Sequence, residues 1–71
     1  MTGDELRAAR HELGLTVNQF CDIFAIASER TLRGWEKGER NGLPNPVPRQ
    51  LELLVLLALE FPAVRKWLGI S

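Results

Sequence analysis

The chain has 71 residues, with nine basic and nine acidic side chains, one cysteine and a formal net charge of zero. A chain of this length forms one small domain that buries about 60% of its unfolded surface, and we expect no separate sensing or catalytic domain. A single cysteine excludes an internal disulfide and is typical of a reducing cytoplasm. Because we find no nucleophile–base pair, phosphate-binding glycine loop or metal-ligand cluster, we expect neither enzyme activity nor a cofactor.

The N-terminal segment predicts a short amphipathic helix. Thr2 can cap it, and Glu5 stands three residues later, where a capping box needs a carboxylate. Gly14 supplies a left-handed stop. Three apolar residues at helical spacing would form the inner face, namely Leu6, Ala9 and Leu13.

The stretch from Leu15 to Gly38 predicts two short helices joined by a tight turn. Thr16 can cap the first of them, with Gln19 completing a capping box. The segment from Ala25 to Ala27 interrupts the pattern, and Ser28 can then cap the second helix. The inner face of the first helix would consist of Val17, Phe20, Cys21 and Phe24.

The second of these helices has two distinct faces. At about 100° per residue, Leu32 and Trp35 fall together on one side. The opposite side carries Arg30, Arg33, Gly34 and Lys37. An apolar pair that faces inward and a basic stripe that faces outward favour a helix packed on a small core and pressed onto a polyanion.

Two motifs in these helices resemble a known family. They are R-x-x-L-G-L-T, which begins at Arg10, and T-L-R-G-W-E-K-G-E-R, which runs from Thr31 to Arg40. Over roughly residues 3 to 60 the chain resembles the phage repressor/Cro-like (Xre-type) helix-turn-helix domain. The resemblance implies an all-α, lambda-repressor-like bundle of four to five short helices, with residues 1–71 as one DNA-binding domain. It also implies an ion pair between Arg10 and Glu36.

The sequence departs from the family pattern near the turn. Val17 stands where the family often has a glutamine that binds a phosphate, and Ala25 stands where it usually has a glycine. Ala27 is an additional residue in the turn. These differences concern individual contacts near the turn more than the overall fold.

The helical faces predict how the chain would contact DNA. Arg30 and Arg33 can each present a bidentate donor pair to a guanine, while Lys37 and Arg40 would hold phosphates. Thr16, Asn18 and Gln19 would also hold phosphates, because the backbone amides at the start of the preceding helix favour an anion. Gly34 has two possible interpretations: it permits a close approach of the helix to DNA, or it has no function. The full predicted DNA-binding set is Thr16, Asn18, Gln19, Ser28, Glu29, Arg30, Thr31, Arg33, Gly34, Lys37 and Arg40.

A loop and a second helical region complete the chain. Glu39 to Pro48 is predicted to be a loop, and Asn45 and Pro46 to begin a helix that reaches Glu60. The core face of that helix would consist of Val47, Leu51, Leu54, Val55 and Ala58.

Two leucines of this helix, Leu53 and Leu56, point outward and need a cover. The cover can be the chain's own tail, a second copy of the protein, or both. The tail would contribute Val64, Trp67 and Leu68. We therefore assign residues 46–71 to dimerisation as well, with an interface made of Leu53, Leu56, Glu60 and Trp67.

Together these patterns favour a sequence-specific transcriptional regulator. It would be a repressor that binds a palindromic operator in double-stranded DNA as a homodimer, with helix 28–38 in the major groove. The alternative is an antitoxin-type interaction module that neutralises a partner protein, such as a toxin, through its apolar C-terminal half. We expect a cytoplasmic protein, nucleoid-associated when bound to DNA, since no signal peptide is evident and Leu51 to Leu59 is too short to cross a bilayer.

Overall fold

The computed structural model describes residues 1–70. Over that range the chain forms five helices and a two-stranded hairpin. In order these are α1 (Gly3–Glu12), α2 (Val17–Ile23), α3 (Glu29–Lys37), β1 (Glu39–Arg40), β2 (Leu43–Pro44), α4 (Arg49–Glu60) and α5 (Pro62–Leu68). The mostly helical content agrees with the predicted all-α class, whereas the hairpin lies where the sequence analysis predicts a loop.

The first three helices begin at the predicted capping residues. In α1 and α2 the hydroxyl of the cap accepts a backbone N–H, and the side chain three residues later accepts the backbone N–H of the cap. In α3 the serine hydroxyl accepts a backbone N–H at 3.2 Å. Such a cap contributes about 1 kcal/mol to the stability of a helix. The structure confirms the predicted pairs of Thr2 with Glu5 and of Thr16 with Gln19, and the predicted cap Ser28, which accepts from the N–H of Thr31.

The turn between α2 and α3 contains an alanine in a left-handed conformation. Ala25 has φ of 55°, a region that residues with a Cβ rarely adopt. The turn is closed by Ile26, whose N–H donates to the carbonyl of Cys21 at 2.9 Å. Ala25 therefore adopts the backbone conformation that a glycine would adopt without steric cost.

The core lies where α1, α2, α3 and α4 meet. Leu6, Phe20, Leu32 and Val55 are fully buried there. Trp35, which the helical wheel places in the core, is half-buried and packs against the edge of this cluster. The other buried apolar residues are Ala9, Leu13, Cys21, Phe24, Leu51, Ala58 and Ile70.

The predicted ion pair between α1 and α3 is confirmed. The Nε of Arg10 donates to Oε2 of Glu36 at 3.0 Å, and its Nη2 donates to Oε1 at 3.3 Å. The third nitrogen of the guanidinium donates to the carbonyl of Leu15 at 3.2 Å, so the same side chain also holds the segment before α2. The side chain of Glu36 is only 5% exposed, and Arg7 lies 3.5 Å from its Oε1.

A glycine brings the backbone of α1 directly against the end of α3. An ideal Cβ on Gly3 would lie 2.3 Å from the carbonyl oxygen of Glu36 and 2.4 Å from that of Trp35. Both neighbours are backbone atoms that cannot rotate away. Gly3 is therefore required by this contact, which the sequence analysis does not anticipate.

The predicted start of α4 at Pro46 is wrong. The helix begins at Arg49 with Pro48 at the cap position, and Asn45 does not cap it. The prolines at 46 and 48 disfavour helical geometry in the residues before them, Asn45 and Val47. Asn45 instead donates its backbone N–H to the carbonyl of Gly38 at 3.0 Å.

Glu52 is buried, although the helical wheel places it beside the outward leucines. Its carboxylate binds the amino group of Met1 and the guanidinium of Arg49. The hydrogen bond from the Met1 amino group is the main reason that the pKa of Glu52 lies below the ordinary value of a glutamate. The residue therefore connects the start of the chain to α4.

The tail after α4 packs on the core but leaves its tryptophan outside. Ile70 is buried, and Val64 and Leu68 are partly buried against the core. Arg65 donates to the carbonyls of Ala58 at 2.7 Å and Leu59 at 3.1 Å, which fixes α5 to the end of α4.

Candidate nucleic-acid interface

One face of α3 is buried and the other faces solvent, as the helical wheel predicts. Leu32 and Glu36 are buried against α1 and α2. On the other side the side chains of Arg33 and Lys37 are 68% and 71% exposed, and Arg30 is exposed as well. The basic stripe is therefore accessible to a large ligand. On the opposite side of α3, the contact between Arg10 and Glu36 fixes the helix to α1.

The hairpin follows α3 directly and stands beside this stripe. Gly38 ends the helix with φ of 84°, and β1 then pairs antiparallel with β2. The two turn residues Asn41 and Gly42 both have positive φ, 54° and 76°, as a type I′ turn requires. The N-G dipeptide is the sequence signal that could have identified this hairpin.

A groove lies between the outer face of α3 and the hairpin. Its volume is about 410 Å³. The lining residues are Ser28, Arg30, Thr31, Arg33, Gly34, Lys37, Glu39, Arg40, Asn41 and Asn45. Seven of these belong to the predicted DNA-binding set, and the groove adds Glu39, Asn41 and Asn45, which are not members of that set.

Positive charge dominates the groove. Four cations line it and Glu39 is the acid among the lining residues. Lys37 Nζ lies 3.5 Å from Oε1 of Glu39, and Arg33 Nη2 lies 3.8 Å from Oε2 of Glu29. Exposed pairs of this kind contribute only about 0–1 kcal/mol, so an anion can displace them at little cost. Glu29, although predicted to contact DNA, lies outside the groove and beside Arg33.

Gly34 lies in the groove next to an asparagine that follows the hairpin. A Cβ on Gly34 would lie 3.0 Å from Nδ2 of Asn45. This neighbour gives the glycine a third explanation besides close approach to DNA and absence of function. The absence of a side chain on Gly34 leaves room for the side chain of Asn45, which lines the groove.

Three predicted phosphate contacts lie outside the groove. Thr16 and Gln19 use their side-chain oxygens in the capping box of α2, and Asn18 is exposed. Gln19 lines a separate depression together with Gly14 and Ile70. The structure therefore does not bring these residues together with the basic stripe, and their contact with a phosphate stays a prediction.

A second candidate surface is apolar and lies on α4 and α5. Leu53 and Leu56 are 45% and 46% exposed, so the tail leaves them partly uncovered. Trp67 is 83% exposed, and Glu60 is exposed on the same helical stripe. The exposed residues that the sequence analysis missed are Leu57 and Phe61, four and eight residues after Leu53, which helical spacing could have identified.

Comparison of the chain with protein-family models, curated proteins and solved structures finds no match. Within the described part of the chain, no helix combines the length and the apolar character needed to span a bilayer. Function is therefore inferred from the basic groove and from the apolar surface of α4 and α5.

Proposed function

We propose that this protein is a sequence-specific DNA-binding transcriptional regulator. The observation that carries the proposal is the groove, in which the exposed face of α3 and the hairpin bring four cations together. Phosphate contacts supply most of the affinity of such proteins, and a local basic surface serves this purpose even when the net charge is zero.

In this proposal α2 and α3 form a helix-turn-helix of the Xre type, and α3 enters the major groove. An α-helix fits that groove, which is about 12 Å wide. Arg30 and Arg33 project from the exposed face of α3 and can each donate two hydrogen bonds to a guanine. Lys37 and Arg40 line the same basic groove of the protein as these two arginines and would contact phosphates.

A homodimer would extend this contact to two half-sites. One helix of this size reads only a few base pairs, whereas a two-fold dimer presents two helices about 34 Å apart to a palindromic operator. The surface available for the two-fold axis is formed by exposed apolar residues of α4, of α5 and of the junction between them. We call this surface the apolar stripe, and it consists of Leu53, Leu56, Leu57, Phe61 and Trp67. Occupation of a promoter would then repress transcription, since the domain offers little further surface for recruiting polymerase.

The direct test is selection of bound sites from a random duplex library, followed by a charge-matched pair of variants. Arg33→Ala removes a cation from the middle of α3, while Lys66→Ala removes an exposed cation from α5. We expect Arg33→Ala to lose about 1–3 kcal/mol of affinity for the selected site and to relax the preference at one position. Lys66→Ala should bind like the parent protein.

Fluorescence anisotropy of labelled duplexes gives both affinities, and circular dichroism shows whether each variant is folded. Equal affinities for Arg33→Ala and the parent protein would exclude α3 as the reading helix. Absence of any enriched site, together with weak dependence on salt, would exclude the DNA-binding function.

The second candidate function is a protein-interaction module. The exposed side chains of Leu53, Leu56, Leu57, Phe61 and Trp67 favour it, because apolar groups clustered on a surface commonly mark a binding site. An antitoxin-type protein would use this stripe to neutralise a partner. A salt titration against random duplex DNA distinguishes the two functions, since only a DNA-binding protein gives a steep negative slope.

A further inference from the structure

We propose that the hairpin Glu39–Pro44 is a second DNA-binding arm whose tip enters the minor groove next to the base pairs that α3 reads. This inference depends on the proposed DNA-binding function and adds a second element and a second groove to it. It also predicts a base preference at positions that α3 does not reach.

The hairpin is attached firmly to α3. Gly38 N–H donates to the carbonyl of Gly34 at 3.0 Å, which closes the end of the helix. Asn45 N–H donates to the carbonyl of Gly38, also at 3.0 Å, and this bond closes the base of the hairpin. Its two strands pair Glu39 with Pro44 and, nearer the tip, a second pair of residues. The hairpin therefore keeps a fixed position relative to the reading helix.

The groove between these two elements has the lining that a sugar–phosphate strand requires. Arg30, Arg33 and Lys37 line one wall, and Arg40 lines the other. When α3 lies in the major groove of DNA, the DNA strand nearest to the hairpin is the sugar–phosphate backbone that borders the major groove. The minor groove lies on the other side of that backbone. The three residues from Glu39 to Asn41 give the hairpin a length of about 10 Å, at about 3.3 Å per residue. We infer that this length carries the tip past that backbone.

The tip of the hairpin has the composition of a minor-groove contact. Asn41 occupies the turn. The side chain of Leu43 is 67% exposed, so its apolar surface contributes little to the stability of a free monomer. Leu43 pairs with Arg40 across the two strands, so both side chains project from the same face of the hairpin. Asparagine and exposed apolar residues are among the groups with which proteins bind the minor groove, while Arg40 remains a phosphate contact.

This composition predicts a preference for A·T base pairs beside the α3 site. The minor groove of A·T pairs lacks the 2-amino group of guanine, which would obstruct the side chains of Asn41 and Leu43. Inosine·cytosine pairs distinguish recognition through the minor groove from recognition through the major groove, because inosine also lacks that amino group. An I·C pair resembles A·T in the minor groove and G·C in the major groove.

The experiment measures anisotropy with three duplexes that share the selected site and differ only in the flanking pairs, which are A·T, I·C or G·C. The double variant Asn41→Gly with Leu43→Thr removes the amide group of Asn41 and replaces the apolar side chain of Leu43 with a smaller polar one. Glycine still suits the turn and threonine still suits the strand. The parent protein should bind A·T and I·C flanks equally and G·C flanks about tenfold more weakly. The double variant should bind all three equally, with an unchanged circular dichroism spectrum.

The possible results separate this inference from the proposed function. If the parent protein binds the site through Arg33 but is indifferent to the flanks, or treats I·C like G·C, the hairpin does not read the minor groove. A double variant that keeps the preference would also overturn the inference. If the parent protein binds none of the duplexes, the DNA-binding function itself is overturned together with the role of the hairpin.

Discussion

Two glycines near α3 illustrate how the surroundings of a residue determine the effect of an added methyl group. Beside Gly3 the nearest atoms are backbone carbonyls of α3, at 2.3 and 2.4 Å from an ideal Cβ. Beside Gly34 the nearest atom is the amide nitrogen of Asn45, at 3.0 Å, which belongs to the end of a side chain. The first contact is rigid and the second can adjust by rotation.

We expect Gly3→Ala to destabilise the fold and Gly34→Ala to leave it as stable as the parent protein or more so. The first substitution pushes α1 away from α3 and should cost about 1–3 kcal/mol, as overpacking commonly does. The second replaces a glycine within a helix and can gain up to about 1 kcal/mol. Urea unfolding followed by circular dichroism measures both free energies.

The two glycine variants also test the interface. Because Gly34 lines the groove, an added methyl group there should weaken binding of the selected DNA if α3 approaches the bases closely. Unchanged affinity would show that Gly34 serves only the packing of Asn45. A Gly3→Ala variant as stable as the parent protein would show that α1 and α3 can separate without cost.

At the level of elements, α3 is fixed mainly from the side that faces α1. Arg10 binds the carboxylate of Glu36 with two nitrogens, and Arg7 lies near the same carboxylate. Because the side chain of Glu36 is 5% exposed and that of Arg10 is 12% exposed, water cannot replace a lost partner. This contact orients the helix whose other face lines the groove.

We expect Glu36→Ala to destabilise the protein by about 3–5 kcal/mol, because it leaves a mostly buried guanidinium without its carboxylate. The matched control is Glu29→Ala, which breaks the exposed pair with Arg33 on the same helix. That variant should lose less than about 0.5 kcal/mol. Equal losses of unfolding free energy in urea would show that the buried pair contributes no more than a surface pair.

At the level of the whole molecule, the basic groove and the apolar stripe are two separate surfaces formed by different elements. The groove belongs to α3 and the hairpin, and the stripe belongs to α4 and α5. Large apolar side chains in contact with water favour association. In the proposed function, separate surfaces would let one copy bind DNA and a second copy at the same time.

We expect Leu56→Asp to give a folded monomer that holds half-sites weakly and loses most affinity for a palindromic site. A charge at this position would be buried in the contact between two copies. Leu43→Asp is the matched control for association, since Leu43 is also exposed but lies on the hairpin. Sedimentation at micromolar concentration should show a dimer for the parent protein and for this control. A strictly monomeric parent protein would contradict the expected dimer.

Local signals in the sequence predicted much of the framework. The caps at Thr2, Thr16 and Ser28 and the two faces of α3 depend on contacts within a few residues, which sequence spacing specifies. The pair of Arg10 with Glu36 followed from the family resemblance rather than from spacing. The basic stripe also appears as predicted, because helical periodicity alone decides which residues share a face.

The remaining features depend on contacts between segments that are distant in the sequence. The close approach of Gly3 to α3, the burial of Glu52 beside Met1 and the position of Asn45 over Gly34 each arise when two separate elements meet. Because of the prolines before it, α4 begins at Arg49 and not at Pro46. A two-residue turn forms a hairpin in the segment that was predicted to be a loop. The sequence by itself therefore determined which residues face outward on α3. Only the tertiary structure decided that the hairpin stands beside them and completes the groove, because its position depends on how the chain leaves the end of that helix.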